Sequence, residues 1–204
     1  MITLPLADEL FLVGHDQYSG KPQIDERTLD TGLAGAVLGE MVLAGRLRVD
    51  DDTMIQVRDQ RPYGDRVTDA ALAEILKQDQ PHSARSWVEY LCGHVRAMVA
   101  ARLVLRGLVE QQLTRQRRFP AVDPVLAAGP QARLRFTLDR PGTADEQTAV
   151  LGALALATGL DFVVGGGSRR QTRNDLAQMH SSLGPDLHRL VLGVEAAAAQ
   201  LQVA

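Results

Sequence analysis

Two arginine-rich segments contain the residue types in this sequence that could bind an anion. The first runs from Gly165 to Arg173 and reads GGGSRRQTR, a glycine-rich stretch that leads into a predicted helix. Backbone N–H groups at such a junction, together with Arg169, Arg170 and Arg173, could form an anion pocket. The segment lacks the nucleotide-binding fingerprints, and no alternation of strands and helices surrounds it. The sequence therefore favours a surface loop with solvated arginines over an anion site.

The second basic segment is Arg115-Gln-Arg-Arg-Phe119, which lies near the tip of a hairpin predicted between residues 108 and 119. On an exposed tip, Arg115, Arg117 and Arg118 could meet anionic lipid headgroups, each contributing on the order of 1 kcal/mol. The same side chains could instead form ion pairs at the interface of a homo-oligomer. The residues alone leave a membrane-facing hairpin and an oligomerising hairpin equally open.

Residues that could support catalysis form no recognisable pattern. The sequence has no P-loop, no nucleophile elbow and no paired-histidine metalloprotease motif, and its five histidines are scattered. The single cysteine, Cys92, has neighbours typical of packing, so we expect a buried structural thiol. The acidic run Asp50–Asp52 lacks the ligand spacing of an EF-hand and indicates a solvated turn. We predict no enzymatic activity, no metal site and no cofactor.

The composition argues against a nucleic-acid partner and favours a helical fold. Over 204 residues the net charge is −3, which gives no overall attraction to nucleic acid, so we expect no nucleic-acid partner. Hydrophobic residues make up 45% and aromatic residues 4%, which favours helices packed through Leu, Val and Ala over a β-sandwich. No apolar run approaches the ~20 residues that cross a bilayer, and the N-terminus lacks signal-peptide features. We expect one cytoplasmic domain, residues 1–204, whose membrane contact would be peripheral at the inner face of the cell membrane.

Hydrophobic periodicity predicts helices over most of the chain. A helix from Thr28 to about Gly45 contains several glycines that permit close approach of neighbours, so we expect it to be buried on more than one side. A capping box at 143–146 starts a helix that is apolar on nearly all sides and is expected in the core. Two helices, starting at Ser83 and His94, precede Gly107. With a hairpin around the acidic turn, the fold class is mainly α with one or two small β-hairpins.

Several segments, in order and approximate spacing, resemble the Golgi phosphoprotein 3 family up to about residue 125. The segments are LADELFLVGHD (6–16), GLAGAVLGEMVLAGRL (32–47), WVEYLCG (87–93) and ARLVLRGL (101–108), followed by a hairpin that ends in Arg-Phe-Pro. The resemblance implies a group of central buried helices ringed by amphipathic helices. The chain looks like a short bacterial member without the basic N-terminal extension, so the Golgi glycosyltransferase tails bound by eukaryotic members are not carried over.

The resemblance also implies binding of phosphatidylinositol 4-phosphate at a membrane surface, with a hairpin that dips into the bilayer. The family pocket uses a tryptophan before the glycine-bearing helix, an arginine within it and two arginines before the hairpin. In this chain Asp25, Ala34 and Gly93 stand at three of those positions, and only Arg96 matches. The hairpin carries Gln112-Leu-Thr-Arg-Gln-Arg-Arg, which is less hydrophobic than in eukaryotic members and leaves electrostatic attachment as the remaining route.

The expected function is therefore that of a non-enzymatic, peripheral phospholipid-binding module with Arg96 at its headgroup site. Its expected partners are anionic headgroups, either phosphatidylinositol 4-phosphate or a bacterial anionic lipid, and its hairpin could join copies of the chain. The alternative is a cytosolic protein–protein interaction or homo-oligomerising module that has lost phosphoinositide binding. The replaced pocket residues support this alternative.

Overall fold

The computed structural model describes residues 4–112 and 117–201, and most of their regular structure is helical. The helices are α1 (Leu6–Gly14), α2 (Glu26–Leu43), α3 (Arg66–Leu76), α4 (Ala84–Leu105), α5 (Pro124–Ala127), α6 (Gly129–Leu138), α7 (Glu146–Ala157), α8 (Asp161–Val164), α9 (Arg169–Ser181) and α10 (Pro185–Leu201). Strands β1 (Leu47–Val49) and β2 (Ile55–Val57) form one antiparallel pair. The predicted fold class, mainly α, is confirmed.

Helix α2 lies at the centre and packs against α1, α4, α7 and α10. Its glycines make this packing possible, because a Cβ on Gly32 would lie 2.6 Å from Thr158 Cγ2, beyond the end of α7. A Cβ on Gly39 would lie 3.0 Å from Leu6 in α1. The predicted burial of this helix on several sides is confirmed, and it begins at Glu26, where the Asp25 carboxylate caps the N–H groups of the first turn.

Two helix boundaries differ from the sequence prediction for local reasons. Helix α7 is buried as predicted, but Asp145 caps it by accepting from the Thr148 N–H, so the helix starts later than the predicted capping box. Helix α4 is one continuous helix of 22 residues where two were expected. Its apolar face continues on both sides of Gly93, from Leu91 to Val95, and tertiary packing outweighs the low helix propensity of glycine.

The first predicted hairpin is confirmed, with Leu47 opposite Val57, and Asp50 accepts the Met54 N–H in its turn. The second segment, between α4 and α5, forms isolated bridges, Val109 with Ala121 and Gln112 with Arg118. Residues 113–116 and therefore Arg115 lie outside the described residues, so the tip of this predicted hairpin stays untested.

A buried ion-pair network joins α1, α2, α3 and α4. The carboxylate of Asp8 in α1 has no exposed surface and accepts from Arg102 Nε at 2.8 Å and Arg106 Nη1 at 2.7 Å. Arg102 also reaches Asp65, the α3 cap, at 2.6 Å and Glu40 in α2 at 3.4 Å. Three carboxylates, from α1, α2 and the cap of α3, therefore converge on the guanidinium groups of Arg102 and Arg106.

The adjacent carboxylate of Glu9 is also buried, and it joins α1 to α6 and α7. Its Oε2 accepts from Arg133 Nη2 in α6 at 2.6 Å and from Gln147 Nε2 in α7 at 2.9 Å. Gln147 also donates to the Leu4 carbonyl at 2.8 Å. A buried carboxylate is costly unless it is paired and hydrogen-bonded, so these contacts favour the observed packing of α6 and α7 against α1.

Removal of the Arg102 guanidinium should be strongly destabilising. In Arg102→Gln, Asp8 keeps only the half-exposed Arg106, and Glu40 loses its cationic partner. We expect a loss of about 3–5 kcal/mol in the free energy of unfolding, measured by urea denaturation. Arg106→Gln is the matched control and should cost clearly less, because Asp8 retains Arg102. Equal losses for the two variants would contradict this account.

Glu40 should make folding stability depend on pH. Burial raises the pKa of Glu40 from 4.5 to about 7, against the opposing charge of Arg102. The folded protein therefore holds a proton that the unfolded chain has released between these values, and stability falls as the pH rises through them. The shift corresponds to a loss on the order of 3 kcal/mol. We expect Glu40→Gln to flatten the pH profile of unfolding free energy relative to the parent protein.

Glu110→Gln, at an exposed carboxylate, serves as the control for this pH profile. Its pH profile should parallel that of the parent protein. If the profiles of Glu40→Gln and the parent run parallel between about pH 4.5 and 7, Glu40 does not hold the extra proton.

Candidate functional site

The connection between α4 and α5, residues 106–123, is held at its base by the loop that follows α1. The Ala121 N–H donates to the Gln17 carbonyl at 2.8 Å, and the Phe119 N–H donates to the Gly20 carbonyl at 3.1 Å. Gly20 has φ +65° and lies directly against the backbone of Phe119 and Pro120, so a side chain there would be strained and would have no room. The base of the connection is therefore fixed by backbone contacts.

Phe119 anchors this connection in the core. Its ring packs edge-on against Phe11 at 5.6 Å and His15 at 6.2 Å. His15 stacks on Phe11 at 3.9 Å, and its Nδ1 lies 2.8 Å from the Phe11 carbonyl. Burial lowers the pKa of His15 to about 4, so its imidazole is neutral at physiological pH and supports the packing.

Exposed apolar side chains lie in the same connection and in the segments that adjoin or contact it. They are Tyr18 (79% exposed), Leu105 (86%), Val122 (53%), Val125 (82%) and Leu126 (65%). We call these five residues the apolar rim. The Val122 N–H donates to the Leu108 carbonyl at 3.1 Å, which closes the connection beside the end of α4. Arg117 is exposed in the same segment. Clusters of this kind are typical of contact surfaces for proteins or membranes.

Arg96, the residue that matches the headgroup pocket of the family, forms ion pairs with two carboxylates. Its Nη2 lies 2.6 Å from Glu26 Oε2 and its Nε lies 2.8 Å from Asp30 Oδ1. Burial raises the pKa of Asp30 to about 6, while the charge of Arg96 opposes this rise. With both carboxylates ionised, the three side chains carry a net negative charge, which disfavours a phosphate group at this place.

The other positions of the family pocket add no cation around Arg96. Asp25 uses its carboxylate to accept the N–H groups of Arg27 and Thr28. Ala34 is fully buried, and Gly93 is an exposed helical glycine. The family resemblance in the sequence indicated that the pocket residues are replaced, but it did not indicate that Glu26 and Asp30 pair with Arg96. Their spacing of four residues on α2 was the available signal.

The arginines of the glycine-rich segment lie around Asp161, a wholly buried carboxylate in α8. Arg169 Nε lies 2.6 Å from Asp161 Oδ2, and Arg173 Nη1 lies 3.4 Å from Asp161 Oδ1. Arg170 is exposed beside them. Arg135 of α6 places its guanidinium group directly against Gly166. Sequence reasoning missed Asp161, although a carboxylate in the apolar run LDFVV was a usable signal, and nothing in the sequence pointed to Arg135.

Neither Cys92 nor a metal cluster supports catalysis in the part of the chain that the structure describes. Cys92 is partly buried, less than expected, and its Sγ lies 3.1 Å from the Glu89 carbonyl. Burial raises the pKa of the Cys92 thiol, which opposes formation of a nucleophilic thiolate. Over residues 4–112 and 117–201, no three potential ligands are grouped to hold a metal ion. No helix in these ranges is both long and apolar enough to cross a bilayer.

Comparison with known proteins gives a match over most of the chain. A sequence model described as Golgi phosphoprotein 3 (GPP34) matches residues 6–194. Vacuolar protein sorting-associated protein 74 of Eremothecium gossypii is 28% identical over 119 residues, which cover 53% of this chain and 36% of that protein. The matched part therefore spans only about a third of the length of that relative.

The ion pairing of Arg96 can be tested through the titration of Asp30. Because the Arg96 charge lowers the pKa of Asp30, Arg96→Gln should raise that pKa above its value of about 6. The measurement is an NMR titration of the Asp30 side-chain carboxyl carbon. Arg85→Gln, at the other end of α4, is the control and should leave the Asp30 titration unchanged. An unchanged titration in Arg96→Gln would show that the pair does not form in solution.

Proposed function

The chain belongs to the Golgi phosphoprotein 3 family, and we propose that it is a peripheral, non-enzymatic module that attaches to anionic phospholipid membranes. The observation that carries the proposal is the apolar rim around a connection that contains Arg115, Arg117 and Arg118. The ligands we propose are anionic headgroups, phosphatidylinositol 4-phosphate or a bacterial anionic lipid among them. The proposed location is the cytoplasm, at the inner face of the cell membrane.

The two components of this surface act on different parts of a bilayer. Apolar side chains such as Val125 and Leu126 gain free energy when they enter the boundary between headgroups and acyl chains. Arginines beside them gain free energy from the negative surface potential, which extends over about a Debye length. Phe119 and the contacts at Gly20 hold the base of the connection, which limits the conformational entropy lost when the surface binds.

The charge around Arg96 bears on which headgroups would be selected. A phosphate at Arg96 would have to displace Glu26 and Asp30 or remain beside them. We infer that attachment through the connection depends on the surface charge of the membrane, and that Arg96 adds selectivity for a headgroup only if both carboxylates are displaced. Vesicles of equal surface charge should then bind equally whether they contain phosphatidylglycerol or phosphatidylinositol 4-phosphate.

Single substitutions on this surface should weaken vesicle binding by predictable amounts. Arg117→Gln removes one basic residue and should lower the partition coefficient on anionic vesicles about five-fold at low salt. Leu126→Ser removes an apolar side chain worth about 1.5 kcal/mol and should lower it about ten-fold. Flotation of the protein with phosphatidylcholine vesicles, with and without anionic lipid, measures both effects.

Matched controls lie elsewhere on the molecule. Arg85→Gln changes an exposed arginine at the opposite end of α4, and Leu76→Ser changes an exposed leucine at the end of α3. Glu74 accepts from the Tyr90 hydroxyl at 3.0 Å, which places that end of α3 beside the first half of α4. Both controls should bind like the parent protein. Equal recovery of the parent on neutral and anionic vesicles would refute the proposal.

A second candidate function is a cytosolic protein-interaction or homo-oligomerising module that uses the same surface. The ion-paired Arg96 favours it, because the apolar rim remains exposed while Arg96 is paired with Glu26 and Asp30. Charge reversal of Arg115, Arg117 and Arg118 separates the two functions. If sedimentation velocity shows that oligomers dissociate while vesicle recovery is unchanged, this second function is favoured.

A further inference from the structure

We propose that the arginines around Asp161 form a binding site for a phosphate group, separate from the α4–α5 connection. The site consists of Arg169 and Arg173 on α9, Arg170 beside them, and Arg135 on α6. The only carboxylate that the structure pairs with Arg169 or Arg173 within the described ranges is Asp161. Arg169 and Arg173 together outweigh the single charge of Asp161, and Arg170 on the same helix and Arg135 beside Gly166 add two further cations nearby.

The buried carboxylate explains how two arginines stay close together. Guanidinium groups repel each other unless a shared anion lies between them. Asp161 has no exposed side-chain surface, and it accepts from Arg169 through Nε at 2.6 Å and Nη2 at 3.3 Å. It also accepts from Arg173 Nη1 at 3.4 Å. Asp161 therefore orients both arginines before a ligand arrives, which reduces the entropy that the ligand must offset.

The same pairing leaves hydrogen-bond donors for a ligand. Arg169 uses Nε and Nη2 for Asp161, and Arg173 uses Nη1, so Nη1 of Arg169 and both Nε and Nη2 of Arg173 have no acceptor among the described residues. The two side chains are 64% and 52% exposed. A tetrahedral phosphate accepts several charge-assisted hydrogen bonds at once, and guanidinium groups match its geometry.

Arg135 extends the cluster across the glycine-rich loop. Its guanidinium group lies against Gly166, in space that a side chain at that position would occupy. The arginines of the cluster therefore come from two helices, α6 and α9. It contrasts with Arg96, where one arginine faces two carboxylates, and the excess of positive charge makes the Asp161 cluster the better place for a phosphate.

The phosphate could belong to a lipid headgroup or to a soluble phosphorylated compound. Both sources present the same group to the arginines, and the test below distinguishes them. Phosphate binding by these arginines is independent of the proposed membrane function, and it is measured first in the absence of lipid.

The test is a calorimetric titration of the whole chain with inorganic pyrophosphate at low salt. We expect Arg169→Gln and Arg173→Gln each to weaken binding about ten-fold or more, because a hydrogen bond to a charged group contributes about 1.5–3 kcal/mol. Each single variant leaves Asp161 paired with the other arginine, so folding should persist, which circular dichroism checks. Arg61→Gln, at an exposed arginine paired with Asp59, is the control and should bind like the parent protein.

The pyrophosphate titration tests whether the site exists, and vesicle binding then identifies the source of the phosphate. Absence of pyrophosphate binding by the parent, or equal affinity for all variants, overturns the site. If the site is present, vesicles that contain phosphatidylinositol 4-phosphate identify the source of the phosphate. A larger loss of vesicle binding in Arg169→Gln than in Arg61→Gln supports a lipid headgroup, and equal vesicle binding supports a soluble compound.

Discussion

The adjacent carboxylates of Asp8 and Glu9 are enclosed at the start of α1, and the packing of the surrounding helices depends on how each is paired. Asp8 is met by Arg102 from the last turn of α4 and by Arg106 directly after that helix, whereas Glu9 is met by Arg133 from α6. The N-terminal position on α1 adds a favourable helix dipole but cannot replace a cationic partner. The two carboxylates pair with different helices, so α1 is linked to both α4 and α6 through charge as well as through apolar contact.

This arrangement also bears on function. Arg102 lies in the last turn of α4 and Arg106 is the first residue of the α4–α5 connection, so the buried pairs hold the point from which the connection leaves the core. Leu105, a residue of the exposed apolar rim, lies between these two arginines in the chain. Residues that stabilise the core and residues of the proposed membrane surface are therefore neighbours in the chain, and a substitution at Arg106 would affect both.

The balance of charge distinguishes the three arginine sites more clearly than the number of arginines. At Arg102 and at Arg96 the carboxylates outnumber the guanidinium groups, and both sites hold helices together. At Asp161 the arginines outnumber the carboxylate.

The sequence predicted the helical fold, the first hairpin and the burial of α2, since apolar periodicity and glycine spacing are local patterns. It could not reveal the partners of Arg102, which lie up to 94 positions away, and a continuous α4 required packing that overrides Gly93.

Because α4 has no break, it fixes the separation of two surfaces. At its start the Ala84 N–H donates to the Thr53 carbonyl at 2.8 Å, which attaches the turn of the first hairpin, and at its end the α4–α5 connection departs. Its 22 residues span about 33 Å. A small ligand or a single lipid headgroup cannot bridge that length, so one partner at the hairpin turn and another at the connection could bind at the same time without steric conflict.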